Sequence, residues 1–328
     1  MRVAILDDYQ RVALEYADWS VLGPDCEIEV FDRNLGSIDE AADALASFDV
    51  LCLMRERMAM PRELIERLPR LRLVIATGAQ MRTLDNQAAI EHGITVCNTH
   101  PGESKYATVE IAWGLILACA RWIPQEHQNV RDGKWQESIG MAIGGKTLGL
   151  LGLGKLGSRM VPIAKAFDMD VVAWSPNLTD ARASEVGARR VEKDELFQSA
   201  DVVSIHLVLG DRSRGLVGQR ELSLMKPSSI LVNTSRGPIV DEAALINTLR
   251  TGGIRAAGLD VFDTEPLPTD HPIRSVPNAV LTPHLGYVSE NAYRAFFADT
   301  VDNIRAWRAG APVRVVAVPE DKTSAASA

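Results

Sequence analysis

Three side chains with complementary chemistry each follow an apolar run in the second half of the chain. Arg236 lies in LVNTSRGPIVDE, Glu265 in GLDVFDTEPL and His284 in LTPHLG. A guanidinium binds carboxylates in a fixed geometry, and an imidazole exchanges its proton close to neutral pH. In open α/β sheets, ligands bind just beyond the carboxyl ends of the strands. The three positions therefore predict a polar reaction site at one edge of a sheet.

A glycine-rich turn precedes these residues. The segment GLGKLG places Gly152, Gly154 and Gly157 in GxGxxG spacing, between the apolar run TLGLL and a helical pattern. One glycine makes a tight turn, the second lets the backbone approach a pyrophosphate, and the third lets helix and strand pack closely. The helix N-terminus adds N–H groups and a partial positive charge. The turn, including Lys155 and Leu156, therefore predicts a dinucleotide site.

Two features depart from this fingerprint. Pro162 falls inside the proposed helix, where a proline should kink or strain the second turn. The acid expected about 20 residues after the turn, which binds the adenosine ribose, is replaced by Ser175 in VVAWSPN. Without this acid nothing repels a 2′-phosphate, and no arginine follows in the sequence to bind one. The cofactor is left as NAD(H) or NADP(H), since Ser175, Asn177 and Thr179 can serve either. Ser175, Pro176 and Asn177 are the predicted cofactor-binding residues of this segment.

Strand-like runs alternate with helical patterns along most of the chain. A first series reads RVAIL, EIEVF, DVLCL, LRLVIA and ITVCN, and a second is predicted at 147–151, 170–174, 201–205, 229–233, 255–259 and 279–282. Strict alternation implies right-handed crossovers and parallel sheets. A helix from about 104 to 121, closed by Pro124, separates the series, and a last helix is predicted at roughly 289 to 309. The pattern predicts an α/β protein with two doubly wound parallel-sheet domains.

The length of 328 residues also fits two domains of ordinary size. We predict a substrate domain at 1–99 plus 286–328 and a dinucleotide-binding domain at 100–285, with the active site in the cleft between them. The tail VPEDKTSAASA is small and polar. We expect no C-terminal regulatory domain.

Composition excludes several kinds of partner. The chain has 35 Lys+Arg against 43 Asp+Glu, a net charge of −8, and no basic stripe that would follow a phosphate backbone, so nucleic acid is not an expected partner. The longest apolar stretch, IAWGLILACA, is far shorter than the roughly 20 residues that span a bilayer. The N-terminus reaches two aspartates too early for a signal peptide. No membrane partner is predicted.

The four cysteines are scattered, without CxxC or CxxH spacing: Cys26, Cys52, Cys97 and Cys119. Buried thiols in a reducing compartment explain this pattern better than disulfides or a zinc site. We therefore predict a cytoplasmic protein without a metal.

The motifs resemble those of the D-isomer-specific 2-hydroxyacid dehydrogenases. The similar segments, in order, are GKTLGLLGLGKLG, DVVSIHL, LMKPSSILVNTSRGPIVDEAAL, AAGLDVFDTEPL and NAVLTPHLG. The resemblance implies a Rossmann NAD(P)-binding domain inserted in a flavodoxin-like substrate domain. It also implies hydride transfer between the cofactor and a small 2-oxo acid or D-2-hydroxy acid, such as glyoxylate or hydroxypyruvate. Arg236 would orient the substrate, His284 would donate or accept the proton, and Glu265 would favour the protonated imidazole.

Further positions follow from the same resemblance. Asp260 in GLDVF matches the acid that binds the nicotinamide carboxamide, and Thr234 contributes backbone near the same ring. His206 in SIHLVL matches the residue that lines the nicotinamide side, with Thr108 nearby. The family also implies a homodimer through the nucleotide-binding domain, with Trp135 at the interface.

The predicted substrate loop departs from the common pattern. ATGAQMRTLD resembles the loop whose backbone N–H groups bind the substrate carboxylate, which points to Gly78 and Ala79. Residues 80–82 replace the smaller or acidic residues often found there, and Arg55 or Arg57 in LMRERM would add positive charge. These departures leave the identity of the substrate open.

Two other functions compete with this interpretation of the sequence. A dinucleotide-sensing scaffold, like the corepressors that share this fold, would bind cofactor without turnover; the intact Arg–Glu–His set makes it the weaker alternative. Formate dehydrogenases share the fold but pair the histidine with glutamine, which Glu265 argues against.

Overall fold

The computed structural model describes residues 1–78, 81–101 and 105–316. The chain divides into two compact units. Unit 1 comprises Met1–Lys105 and Ser289–Ala328, and unit 2 comprises Tyr106–Val288. Each unit contains one parallel sheet.

The strands of unit 1 are β1 Arg2–Ile5, β2 Glu27–Val30, β3 Val50–Leu53, β4 Leu73–Ala76 and β5 Thr95–Asn98. Those of unit 2 are β6 Thr147–Leu151, β7 Asp170–Trp174, β8 Arg189–Arg190, β9 Val202–Ile205, β10 Ile230–Asn233, β11 Ala256–Leu259 and β12 Ala279–Leu281. The central strands are buried at every residue and, apart from Ser204 and Asn233, apolar, as expected for parallel strands covered on both faces.

The helices of unit 1 are α1 Ala13–Tyr16, α2 Ile38–Leu45, α3 Arg62–Ile65, α4 Asn86–Glu91 and, after unit 2, α12 Glu290–Arg308. Those of unit 2 are α5 Ala107–Arg121, α6 Ile123–Arg131, α7 Gly157–Ala166, α8 Asp180–Glu185, α9 Lys193–Ser199, α10 Gln219–Leu224 and α11 Glu242–Arg250. Short 3-10 helices occur at Trp19–Leu22, Gly237–Ile239 and Pro272–Ser275.

The two sheets have different strand orders. The unit 1 sheet runs β2-β1-β3-β4-β5, the order typical of flavodoxin-like folds. The unit 2 sheet runs β12-β11-β10-β9-β6-β7-β8, which is the Rossmann order 3-2-1-4-5-6 read from β8, with one further strand. The predicted fold class is confirmed. The order reverses between β1 and β3 in unit 1 and between β6 and β9 in unit 2, and these switch points are where such sheets bind ligands.

Two apolar cores cover the faces of the unit 2 sheet. One packs α5 and α7 against the strands, and its buried residues include Val109, Ile116, Met160, Val171 and Ala173. The other packs α9, α10 and α11 on the opposite face, with Phe197, Leu222 and Leu245 at its centre. Because both faces are covered, the carboxyl-end loops project from a rigid base.

Three local details differ from the sequence prediction. The helix after the glycine turn continues through Pro162 to Ala166. Trp122 adopts a left-handed conformation that ends α5, and Pro124 then lies in the first turn of α6, where a proline is tolerated because its missing N–H is not needed. The edge strand β8 was not predicted.

The apolar stretch at 111–120 lies within α5, which is mostly buried in unit 2. No single helix in the described part of the chain is long and apolar enough to cross a membrane. Only α5 and α6 taken together meet that criterion by length and composition, and they are bent by 63°.

Candidate active site

The three glycines of the turn after β6 face different constraints. A Cβ on Gly152 would lie 2.6 Å from the carbonyl oxygen of His206, and φ there is +100°. A Cβ on Gly157 would lie 2.1 Å from the carbonyl oxygen of Gly152, which shows how closely α7 packs on the turn. A Cβ on Gly154 would meet nothing within 4 Å. The outer two glycines are therefore required by packing, and Gly154 leaves the backbone open to a phosphate. Lys155 beside it is exposed.

Arg236 lies in a loop after β10 that is fixed by its own motif. The buried Asn233 side chain donates to the Arg236 carbonyl at 2.9 Å and accepts from the Ser235 N–H at 3.0 Å. The Ser235 hydroxyl donates to the Ile205 carbonyl at 2.8 Å. A Cβ on Gly237 would lie 2.1 Å from the Phe262 carbonyl carbon, so the loop packs directly on the segment after β11. The NTSRG sequence thus orients Arg236 through backbone contacts.

His284 and Glu265 form a close pair. The Nδ1 atom of His284 lies 2.6 Å from Oε2 of Glu265, and both side chains are partly exposed. The other oxygen of Glu265 accepts the Phe262 N–H at 2.9 Å, which fixes the carboxylate. The Tyr287 ring meets the imidazole edge-on, with centroids 5.5 Å apart. A carboxylate at Nδ1 keeps the proton on that nitrogen in the neutral ring, so Nε2 is the ring nitrogen available to accept a proton.

The Asp260 carboxylate holds the turn that carries His284. Its Oδ1 accepts from the Thr282 hydroxyl at 2.6 Å and the Leu285 N–H at 2.7 Å, and its Oδ2 accepts from the Gly286 N–H at 2.8 Å. Burial raises the pKa of Asp260 above its usual range, while these hydrogen bonds and the nearby His284 act in the opposite direction. The donors flank His284, whose own φ is +55°. Asp260 therefore stabilises the unusual backbone that presents the imidazole.

Thr108 contacts the same turn from α5. Its hydroxyl donates to the Gly286 carbonyl at 2.7 Å, across 178 residues of sequence. A Cβ on Gly286 would lie 3.3 Å from the Thr108 methyl carbon and 3.2 Å from the Asp260 carboxylate. Thr108 thus fixes the chain just after His284, whatever contact it makes with a cofactor.

Two buried polar atoms near the switch point need a partner. Nδ1 of His206 and Oγ1 of Thr234 have no hydrogen-bond partner among the described residues. The His206 ring meets the Ser204 hydroxyl through Nε2 at 2.9 Å, and burial lowers its pKa to about 4, so it is neutral at ordinary pH. Buried polar atoms are normally hydrogen-bonded. With the open Gly154, these atoms fit the polar groups of a dinucleotide.

The turn after β7 contains Ser175, Pro176 and Asn177, the latter two exposed. The Ser175 carbonyl accepts the Leu178 N–H at 3.1 Å. The Leu178 carbonyl in turn accepts Nε of Arg190, an arginine on β8, at 3.0 Å. The structure therefore corrects the interpretation that no arginine serves this turn: one arrives from the neighbouring strand.

In unit 1, the structure brings Arg55 and Gly78 together. Gly78 has a φ of +89°, and a Cβ there would lie 1.8 Å from Nη1 of Arg55. The Gly78 N–H, predicted to bind the substrate carboxylate, donates to the Thr99 hydroxyl at 2.8 Å. Arg57 donates to the Asp7 carbonyl at 2.8 Å. Ala79 lies outside the described residues.

Comparison with known proteins decides the family. Residues 113–286 match the family described as "D-isomer specific 2-hydroxyacid dehydrogenase, NAD binding domain". The chain belongs to this family. It is an enzyme of the D-2-hydroxyacid dehydrogenase class that uses a nicotinamide cofactor, and the matched residues of unit 2 are its NAD binding domain.

Among curated family members, a glyoxylate reductase from Aeropyrum pernix is 37% identical over 300 residues, which cover 87% of each chain. A D-3-phosphoglycerate dehydrogenase from Methanocaldococcus jannaschii is 36% identical over 260 residues, 78% of this chain and 49% of that protein. The chain thus spans about half of that longer relative.

Solved structures of the family agree. A putative D-3-phosphoglycerate dehydrogenase from Ralstonia solanacearum superposes with a TM-score of 0.88 at 33% identity, covering 96% of both chains. The D-lactate dehydrogenase of Escherichia coli gives a TM-score of 0.80 at 26% identity, covering 97% of this chain and 100% of that one. These dehydrogenases and reductases do not favour the corepressor-like alternative.

Several residues that hold the predicted site in place were not predicted from the sequence. Asn233 and Gly237 belong to the quoted NTSRG motif, so an amide and a residue without a side chain at these positions were a usable signal. Thr282, which donates to Asp260, was equally visible in LTPHLG. Arg190 had no sequence signal, because its role depends on an edge strand of two residues.

Proposed function

We propose that the chain catalyses reversible reduction of a small 2-oxo acid, such as glyoxylate or hydroxypyruvate, to the 2-hydroxy acid, with D configuration where the product is chiral. The observation that carries this proposal is the His284–Glu265 contact of 2.6 Å in unit 2. The pair supplies an oriented acid/base group on the same sheet edge as the glycine turn. Arg236 lies in the neighbouring loop, which packs on the segment leading to Glu265.

The chain's own residues would hold the cofactor as follows. The glycine turn with Lys155 and Leu156 takes the phosphates, and the 175–177 turn takes the adenosine ribose. His206, Thr234 and Asp260 would line the nicotinamide end, and Thr108 would support the backbone there. The nicotinamide would supply the hydride in reduction and accept it in oxidation.

Arg236 would orient the substrate, because a guanidinium binds a carboxylate through two parallel hydrogen bonds and polarises an adjacent carbonyl. Nε2 of His284 would donate its proton to the carbonyl oxygen in reduction and accept it in oxidation. Glu265 would keep the ring in one tautomer and stabilise the imidazolium.

In unit 1, Arg55, Gly78 and Ala79 are the residues that we propose for substrate binding, with Gly78 shaping the turn because its N–H already donates to the Thr99 hydroxyl. The support is the guanidinium of Arg55 lying directly over the Gly78 turn, at the carboxyl end of β3 and β4. Arg55 itself has a φ of +56°, and its N–H donates to the Thr77 hydroxyl at 2.9 Å, so its position is defined by the backbone.

We further propose a cytoplasmic homodimer joined through unit 2. All four cysteines are free thiols, consistent with a reducing compartment. Trp135 and Ile139, in the segment after α6, are among the most exposed large apolar side chains described, and such side chains favour an interface. Light scattering of the purified protein would give the oligomeric state.

The decisive experiment is an activity screen with NADH and NADPH, each against glyoxylate, hydroxypyruvate and pyruvate. We expect cofactor oxidation with at least one acid, and chiral analysis of the product from hydroxypyruvate or pyruvate should identify the D enantiomer, since glycolate from glyoxylate is achiral. Absence of oxidation with every pair, from a folded protein that binds cofactor, would contradict the proposed reaction and would favour a sensing role.

A further inference from the structure

An arginine on the adjacent strand β8, Arg190, contacts the turn after β7. β8 pairs in parallel with β7, and Ala173 lies opposite Arg190 in the register. From this position the Arg190 side chain reaches the backbone of the turn, where its Nε donates to the Leu178 carbonyl at 3.0 Å. The guanidinium thus lies at the end of the strand where the dinucleotide fingerprint expects a ribose-binding acid.

Within the described residues, the two terminal nitrogens of this guanidinium form ion pairs only with exposed carboxylates. Nη2 lies 2.8 Å from Oε1 of Glu192, whose side chain is 71% exposed, and Nη1 lies 4.0 Å from Oδ1 of Asp180, which is 85% exposed. Exposed ion pairs contribute little free energy. A phosphate dianion can therefore replace these partners, because it offers more charge and a geometry that matches the guanidinium fork.

Ser175 occupies the position where the fingerprint expects an acid. A carboxylate at the end of β7 would bind both ribose hydroxyls of NAD and would repel a 2′-phosphate. Ser175 does neither, and its hydroxyl can donate to a phosphate oxygen. The turn therefore lacks the group that selects NAD and has, in Arg190, the group that accommodates the 2′-phosphate of NADP.

We propose that Arg190 recognises the adenosine 2′-phosphate and that the chain consequently binds NADPH in preference to NADH. This proposal rests on the proposed function for its cofactor site, but it concerns binding alone. Nε of Arg190 stays on the Leu178 carbonyl and holds the turn, while the two terminal nitrogens exchange their carboxylate partners for the phosphate.

The test is equilibrium titration of the purified full chain with NADPH and with NADH at low ionic strength, followed by nucleotide fluorescence. A hydrogen-bonded contact between two charged groups predicts about ten- to a hundredfold tighter binding of NADPH. The preference should shrink as salt is raised. In competition, 2′,5′-ADP should displace NADPH at lower concentration than ADP does. Equal affinities for the two reduced cofactors would overturn the proposal.

Arg190→Ala should remove the preference by weakening NADPH binding far more than NADH binding, which falls only by what the lost hydrogen bond to the Leu178 carbonyl contributes. Arg189→Ala is the matched control, because Arg189 is the other residue of β8 and pairs with Glu195 at 2.9 Å. It should keep the wild-type ratio. If Arg190 only supports the turn, both affinities fall together in Arg190→Ala, and the proposal is wrong. Should that variant unfold, Arg190→Lys retains the charge and is expected to give an intermediate ratio.

Ser175→Asp gives an independent check, since the new carboxylate should reverse the preference toward NADH. The outcomes separate this inference from the proposed reaction. Selective NADPH binding without turnover of any 2-oxo acid would support Arg190 and contradict the reaction. Turnover with equal affinities for NADPH and NADH would support the reaction and contradict the role of Arg190. Failure to bind either cofactor would contradict the reaction and the role of Arg190 alike.

Discussion

The carboxyl ends of the two sheets are built differently. In unit 2, buried polar side chains hold the loops: Asn233 donates to the Arg236 carbonyl, and Asp260 accepts from the turn of His284. In unit 1, the end of the sheet carries guanidinium groups instead, with Arg55 lying over Gly78 and Arg57 over the ring of Tyr9 at 4.9 Å.

The difference concerns how each site is specified. In unit 2, buried polar side chains bind the backbone of the loops directly: the partners of Asn233 lie within three residues, and Asp260 holds the His284 turn from 22 to 26 residues away. The unit 1 end depends on contacts between residues that follow separate strands. Arg57, for example, donates to the carbonyl of Asp7, which lies 50 residues earlier in the chain. Substitutions should therefore have sharp catalytic effects in unit 2 and graded effects on substrate affinity in unit 1.

The largest expected effect comes from His284→Ala. Loss of the proton donor should lower kcat by about 10²–10⁴-fold, because general acid–base catalysis contributes that much. Cofactor affinity should stay within a few-fold of wild type. Steady-state kinetics and cofactor titration measure the two quantities. His92→Ala, at an exposed histidine after α4, is the control and should leave both unchanged. Equal losses of turnover and cofactor affinity would contradict the proton-donor role.

Asp260→Asn should have a smaller effect, on stability and turnover together. An asparagine has one acceptor oxygen, so its amide nitrogen must face either the Gly286 N–H or the two donors at the other oxygen. Such a mismatch costs about 1–3 kcal/mol of unfolding free energy, measurable by urea denaturation. Turnover should fall as well, because the turn carrying His284 shifts.

Thr282→Val is the matched control for Asp260→Asn. It removes one hydroxyl donor and leaves both backbone donors on Asp260, so its cost should be smaller. If Asp260→Asn weakened cofactor binding without changing stability, Asp260 would act on the cofactor directly and not through the turn.

The smallest expected effect is in unit 1. Gly78→Ala should cost about 1–2 kcal/mol for its left-handed backbone and should also displace Arg55, which raises KM for the substrate. Gly93→Ala is the control, since Gly93 has a φ of +69° but open space around its Cβ position. It should lose similar stability with unchanged KM. Equal KM values for the two variants would show that Arg55 does not contact the substrate.

The sequence predicted the parts of the molecule that are encoded locally. The alternating pattern predicted both parallel sheets, and the GxGxxG spacing predicted a turn whose outer glycines are indeed required by packing. The Glu265 and His284 motifs predicted two side chains that the structure brings into hydrogen-bond contact.

Contacts between distant segments could not be predicted in the same way. Thr108 reaches Gly286 across 178 residues, and no periodicity marks that pair. β8 has only two residues, too few to show a strand pattern, so Arg190 could not be assigned to the β7 turn. A proline disfavours the interior of a helix, but packing on the sheet keeps α7 continuous through Pro162.

The hydrogen bond between Thr108 and Gly286 also bears on how such a protein is assembled in evolution. The two residues lie two positions inside the first and last residues of unit 2, Tyr106 and Val288. This hydrogen bond therefore holds the first and last residues of unit 2 close to each other. A segment whose ends meet can be inserted into, or removed from, a host loop without stretching the host. Unit 2 thus has the form of a segment that can be transferred between proteins, and the hydrogen bond that closes it adjoins His284.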